Sequence, residues 1–211
     1  FIRIRAESEL LWLDKKIMPA TMYNNELLSF VLSDITEGTP VQIQWDDVTY
    51  NTIVVNGFCP KQTARERLIE VAFSIGAFIR CSYDNTLRLD SIDEISPEVM
   101  DYGHIFYRPS ITYKNWVTSI ALTRFNFDTP TGESGEETVT DANGVSYKVI
   151  RTVDKTINSF APSTAPQNEV VVDNCMLVRN ANAGSIIMRL ADYYFNRMEI
   201  SLDCINNSQK A

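Results

Sequence analysis

The stretch from Thr63 to Leu89, TARERLIEVAFSIGAFIRCSYDNTLRL, leaves its chain little choice of conformation. Thr63 and Glu66 form an S/T-x-x-E capping box, in which each side chain satisfies a backbone N–H at a helix start. Ala64, Leu68, Val71, Ala72 and Ile75 follow at i, i+4, i+7, i+8 and i+11, one face of a 3.6-residue period. Ile69 and Phe73 widen that stripe and predict a helix covered on more than one side. Gly76 suits the left-handed position that closes a helix. AFIRCSY and TLRLDSI then flank Asp84-Asn85, two residues that tolerate positive φ in a tight turn. The spacing predicts a strand, a helix and a hairpin in succession, with every side chain given a folding task.

The same grammar extends along the chain. FIRIRA alternates as a half-buried strand, and Ser8 caps a short helix, ELLWLDKKI, with Leu10, Leu13 and Ile17 on one side and Pro19 as its stop. NNELLSFVLSDI predicts a second helix burying Leu27, Leu28, Val31, Leu32 and Ile35. After Gly38 and Pro40, VQIQW turns Val41, Ile43 and Trp45 inward, and NTIVV supplies another strand before Gly57 and Pro60. The acidic segment Asp90–Gly103, punctuated by Pro97, reads as a domain boundary.

Beyond it the texture is β-like. SITYKNWVTSIALTRFNF alternates Ile111 with Tyr113, then Ile120, Leu122, Phe125 and Phe127, and the change of phase near Thr123 predicts a β-bulge or a bend. PTGESGEE is a polar loop, DANG a turn joining ETVT to VSYKVIRTV, and the stretch reads as a β-meander. NSFAPSTAPQNE is an exposed connection to the strand VVVD. Asn182 caps a helix burying Ile186, Ile187, Leu190, Ala191 and Tyr194, and MEISLDC alternates as a final strand. The expected class is α+β: a mixed helix/hairpin module over 1–95, then a β-rich domain, barrel-like or meander, over 96–211, closed by a C-terminal helix and strand.

A chain of 211 residues with 45% hydrophobic side chains buries a core without staples. Its net charge of −8 argues against a nucleic-acid face and against docking on anionic membrane. No apolar run approaches the roughly 20 residues of a membrane-spanning helix. Cys59, Cys81, Cys175 and Cys204 are dispersed and read as reduced, buried small hydrophobes.

Chemistry is hard to assemble. His104 is the only histidine, so Ser-His-Asp, Cys-His and multi-histidine zinc arrangements fail, and the cysteines lack ligand spacing. Neither G-x-G-x-x-G nor G-x-x-x-x-G-K-[ST] occurs. DANG is one residue short of a calcium loop, and Thr152 stands where its bidentate Glu belongs. Asp46 and Asp47 beside Trp45 are the best carboxylate pair, yet neighbours on a strand point to opposite faces. DYYF, Asp192–Phe195, reads as a helix packing its apolar side into the core. No catalytic, cofactor-binding or metal-binding residue is nominated.

Thr63-Ala-Arg-Glu-Arg-Leu, Val71-Ala72, Gly76-Ala77-Phe78 and Asp84-Asn-Thr-Leu87 resemble a pattern of phage tail hub proteins, a "T-x-R-E-x-L…I-A…G" helix running into a "D-G-x-L-x-L" hairpin. Asn85 replaces the turn glycine. VDNCMLVRNANAGSIIMRLADYYFNR is similar to that family's closing segment. The resemblance implies a non-enzymatic part of a phage or prophage tail tip or baseplate hub, or of a related contractile injection apparatus. It implies a tube-like β-barrel elaborated by an α+β insertion, here without its first tube-like portion. It further implies a trimeric homo-oligomer, other tail proteins as partners, and a place in the virion tail after assembly in the bacterial cytoplasm. Arg65, Arg67, Arg80 and Arg88 are the expected surface for a partner subunit. Two other readings stay open: a carbohydrate-binding or adhesion module using Trp45, Trp116, Tyr113 and Tyr147, and a glycan-acting hydrolase using Asp46 and Asp47.

Overall fold

A computed structural model describes residues 10–45, 48–82, 85–91, 110–196 and 198–201. The expected strand at FIRIRA, the Ser8 cap, Asp46, Asp47, His104, Cys204 and the boundary near residue 95 lie outside these residues.

Helix α1 (Leu10–Lys15) buries Leu13, and the chain then extends into β1 (Ile17–Met18). Ile17 is exposed and Met18 takes the core position, because β1 pairs with β5 (Gln62–Thr63) and leaves the helical period. β2 (Thr21–Leu27) pairs antiparallel with β4 (Val54–Cys59). That pairing holds Leu27 extended and exposed, so α2 (Leu28–Thr36) starts one residue later than its periodicity suggests. Leu28, Val31, Leu32 and Ile35 are buried as the spacing predicts.

The register of β2 on β4 shifts between Tyr23 and Glu26, where Asn25 takes φ 58° and its N–H donates to Asn56 Oδ1 at 2.8 Å. This is where the chain carries its bulge. Gly57 does not end β4. Its φ of 125° is open to glycine, and a Cβ there would lie 2.4 Å from the carbonyl oxygen of Met176, so the strand crosses a second segment at backbone contact.

The capping box forms as read: Thr63 Oγ1 accepts from the N–H of Glu66 and a Glu66 carboxylate oxygen accepts from the N–H of Thr63. Helix α3 (Ala64–Ile75) ends at Gly76 in the left-handed conformation. β6 (Ala77–Cys81) and β7 (Thr86–Ser91) pair antiparallel, with Asn85 at φ 55° in the turn. β3 (Gln42–Trp45) joins β7 in parallel, giving the order β3-β7-β6.

In the remaining chain β9 (Ser119–Asp128) and β11 (Ser146–Ile157) pair over ten residues in unbroken register. No bulge occurs at Thr123. The first five residues of β9 are all buried, because the strand is covered on both faces, and the apolar residues pass from the Ile120/Leu122 face to the Phe125/Phe127 face. β10 (Thr138–Thr140) and β11 form the DANG hairpin, in which Asp141 Oδ1 accepts from the N–H groups of Asn143 and Val145. β12 (Glu169–Val172) lies parallel to β9 on its other side. The order β10-β11-β9-β12 is therefore not a meander. The strands make a curled half-barrel, and the α+β class holds. β8 (Ser110–Tyr113) pairs antiparallel with β13 (Met198–Ser201) after α4 (Ala183–Tyr194).

Asn182 does not cap α4 with its side chain. Its Oδ1 accepts from the N–H of Arg179, and its Nδ2 donates to the carbonyls of Ser74 and Leu177, tying the entry of α4 to the end of α3. One hydrophobic cluster joins Leu13, Leu28, Leu68 and Leu87 to Leu122, Leu177 and Ile186, so both halves of the sequence contribute to it. No helix among the described residues is long and apolar enough to cross a membrane.

Candidate interaction surface

The four arginines expected to face a partner do not form one surface. Arg67 is completely buried. It lies three residues after Ala64 and four before Val71, on the stripe that faces the core. Its Nη2 donates to the carbonyls of Pro19 at 2.5 Å and Pro60 at 3.0 Å, and its Nη1 to Thr21 Oγ1 and Tyr23 Oη at 3.2 and 3.3 Å. Arg65 pairs with Asp14 at 3.0 Å and Arg80 with Asp90 at 2.8 Å. Arg80 and Arg88 are register partners across β6 and β7. Arg65, Arg67 and Arg80 therefore fix elements of their own module.

Around Arg67 lies a buried polar group that was not legible as a unit. Glu70 Oε2 accepts from Gln62 Nε2 at 3.0 Å and from the Cys59 thiol at 3.7 Å. Burial raises the Glu70 pKa, opposed by the hydrogen bonds from Gln62 and Cys59 and by the charge of Arg67. Burial likewise pushes the Tyr23 hydroxyl up to about 12, against the pull of the nearby guanidinium. The Cys59 thiol is raised well above its ordinary value by burial and then by Glu70, and Cys175 is raised to about 12 by the same two causes. A thiol so raised stays protonated and is a poor nucleophile at neutral pH. The cluster clamps structure. Cys81, expected to be buried, is exposed.

The aromatics considered for sugar binding are dispersed. Trp45 is half-buried on β3 with its Nε1–H donating to Asn51 Oδ1, Tyr113 is exposed on β8, and Tyr147 sits on β11 with its hydroxyl on Asp141 Oδ2. Trp116 lies between β8 and β9. Trp45, Tyr113 and Tyr147 belong to three different sheets, and Trp116 to none.

The feature that does gather exposed side chains is a groove of about 390 Å³ between α3, α4 and β6. Ile69 and Phe73 of α3, Phe78 of β6 and Leu190 and Tyr193 of α4 line it. α4 buries only Ala183 and Ile186, so the DYYF segment does not enter the core: Tyr193 is 70% exposed and stacks edge-on against Tyr194, ring centroids 5.0 Å apart. The groove's cation is Arg189, whose guanidinium lies where a Cβ on Gly76 would stand, 1.5 Å from that point. It donates to the carbonyl of Ile75 at 3.4 Å and to Ser185 Oγ at 3.3 Å. No carboxylate pairs with it among the described residues. The sequence carried one signal for this surface, apolar residues spread wider around α4 than a single buried stripe needs.

The fold is one carried by phage and prophage tail proteins. The chain aligns over 90% of its length with the tail protein from Neisseria meningitidis MC58, at 16% identity and a TM-score of 0.52. It aligns over 94% of its length with the 43 kDa tail protein of prophage MuSo2 from Shewanella oneidensis, at 8% identity and a TM-score of 0.52. A prophage tail protein from Listeria monocytogenes EGD-e aligns over 93% at 13% identity with a TM-score of 0.49. The chain spans 54%, 56% and 55% of those three proteins respectively. No protein-family model and no curated protein matches the sequence.

Proposed function

We propose that this chain is a non-enzymatic structural component of a phage or prophage tail, at the tail tip or baseplate hub, where it assembles with copies of itself and with neighbouring tail proteins. The carrying observation is the shared fold over 90% and 94% of the chain with two tail proteins at TM-scores of 0.52. The burial of Cys59, Arg67 and Tyr23, with Glu70 half-buried beside them, agrees with this reading, since this polar cluster is turned to holding strands and helices together. On this reading the protein assembles in the bacterial cytoplasm and ends in the virion tail, with protein surfaces as its partners.

Deletion of the gene from its phage or prophage tests the proposal directly. The expected result is loss of infectious or complete tails by electron microscopy, rescued by the intact gene in trans, with the protein detected in purified particles. Normal tails from the deletion strain, or particles that lack the protein, would overturn it.

A further inference from the structure

We propose that the groove between α3, α4 and β6 receives the exposed face of α2 from a second copy of this chain, a head-to-tail contact sealed by Arg189 against Asp34 and Glu37. The inference rests on the self-assembling reading above and names the surfaces that would carry it.

Two complementary features of one chain motivate it. The groove is apolar, and its cation Arg189 meets no carboxylate among the described residues. Its two hydrogen bonds are long, at 3.4 and 3.3 Å, and a guanidinium carries five N–H donors. The counterpart is on α2. Phe30 is 62% exposed, Asp34 follows one turn later at i+4 on the same helical face, and Glu37 stands just past the end of α2. Neither carboxylate forms an ion pair among the described residues, because Lys16, the cation beside them, spends its Nζ on the backbone carbonyls of Asp34 and Glu37 instead.

An aromatic knob one turn from Asp34, with Glu37 just beyond the helix end, is what an apolar slot with a single guanidinium accepts, because the ring displaces water and the acid neutralises the arginine. The two surfaces belong to different elements, so the contact is heterologous and builds a ring where its rotation closes. The chain's net charge of −8 adds a reason for specificity: most of its surfaces repel one another, and an unpaired cation set in an apolar groove is the place where an acidic face of another copy is attracted.

The test is the mass of the intact protein by light scattering and sedimentation velocity. Phe30→Asp and Tyr193→Asp change exposed side chains, and Arg189→Asp and Asp34→Arg reverse the two charges. Circular dichroism and thermal melts identify any variant that fails to fold. The wild type is expected to be oligomeric, each folded single variant to weaken self-association about tenfold or more, and the Arg189→Asp/Asp34→Arg double variant to regain it. Oligomers of wild-type mass in every single variant would overturn the groove contact while leaving the tail assignment standing. Weakening by Tyr193→Asp with Phe30→Asp unaffected would also overturn it, and would assign the groove to another occupant. A monomeric wild type at high concentration would sink the contact and the self-assembly together.

Discussion

Arg67 of α3 donates to the backbone carbonyl of Pro19, 48 residues earlier, at 2.5 Å, and the same guanidinium nitrogen donates to the carbonyl of Pro60. Both carbonyls belong to connections that have left a regular element, so neither has a ladder partner to fall back on. One side chain satisfies both. A guanidinium does this at lower cost than an ammonium, because its donors are fixed in a planar fork and it is more weakly hydrated.

Replacing Arg67 should therefore be among the most damaging single changes in the described residues. Arg67→Met keeps much of the volume but leaves the Pro60 carbonyl and the Tyr23 hydroxyl without their donor and the Pro19 carbonyl with only the Thr21 hydroxyl, and we expect a loss of about 3 kcal/mol or more. Arg67→Lys should recover only a part of it. Urea unfolding of the three proteins checks the order; an Arg67→Met variant as stable as wild type would show that the clamp contributes little.

Glu70 makes stability depend on pH in a particular direction. Burial raises its pKa, so the folded protein holds this proton more tightly than the unfolded chain does. The associated stability is full below the ordinary value of 4.5 and is lost as pH rises through the raised value. Glu70→Gln removes that loss, so the variant should gain on wild type as pH climbs from about 4 to about 8. Thermal melts of the pair across that range are the measurement, and a difference that stays constant with pH counts against the argument.

Glu136 behaves in the opposite sense. Hydrogen bonds from Lys148 Nζ and the Thr131 hydroxyl hold its pKa down to about 2. Its contribution is present above 4.5 and is lost as pH falls toward that low value. Glu136→Gln should destabilise the loop before β10 at neutral pH and matter little in strong acid, which amide exchange at Thr131 and Gly132, both donors to Glu136, will report.

The thiols supply a fourth check. At pH 8 a water-soluble thiol reagent should label Cys81 rapidly in the native protein and leave Cys59 and Cys175 unmodified until denaturant is added, as peptide mapping will show. Rapid native labelling of Cys175 would mean that its cover opens easily.

Gly57→Ala tests the crossing of β4 and the segment around Met176. The new Cβ would stand 2.4 Å from a backbone oxygen, which cannot swing aside as a side chain can, at a φ of 125° that alanine rarely adopts. We expect a loss of at least about 2 kcal/mol in chemical denaturation.

Local rules account for much of what could be read from residues alone. Thr63, Glu66, Gly76 and Asn85 each act through neighbours within one turn, and each stands where its chemistry places it. Failures begin where a partner distant in sequence decides. Leu27 follows the helical period but is held extended by β4, and Asn182 has cap chemistry but spends its side chain on Ser74, 108 residues away. The phase change at Thr123 reads as a bulge or a bend only where alternation marks a single buried face, whereas β9 is covered on two. Arg67 is the instructive error. Its spacing from Ala64 and Val71 put it on the buried stripe, but its charge suggested a surface, and only the carbonyls of Pro19 and Pro60 resolve the conflict.

The parallel seating of β12 against β9 has a consequence for how the chain reaches this state. Glu169 and Ser119, hydrogen-bonded across that seam, are separated by 50 residues, so the contact adds a long-range closure to an already sheet-rich topology. β9 and β11 pair within an antiparallel excursion and can form first. Until β12 arrives, β9 keeps one open edge bearing Ile120, Ala121 and Leu122, a short apolar template for another chain's strand. A nascent chain on the ribosome carries that edge bare for as long as Val170 and Val171 remain in the exit tunnel. Crowded synthesis is therefore the moment of greatest aggregation risk, and slowed translation between β11 and β12 should lower the soluble yield before it touches the stability of the finished protein.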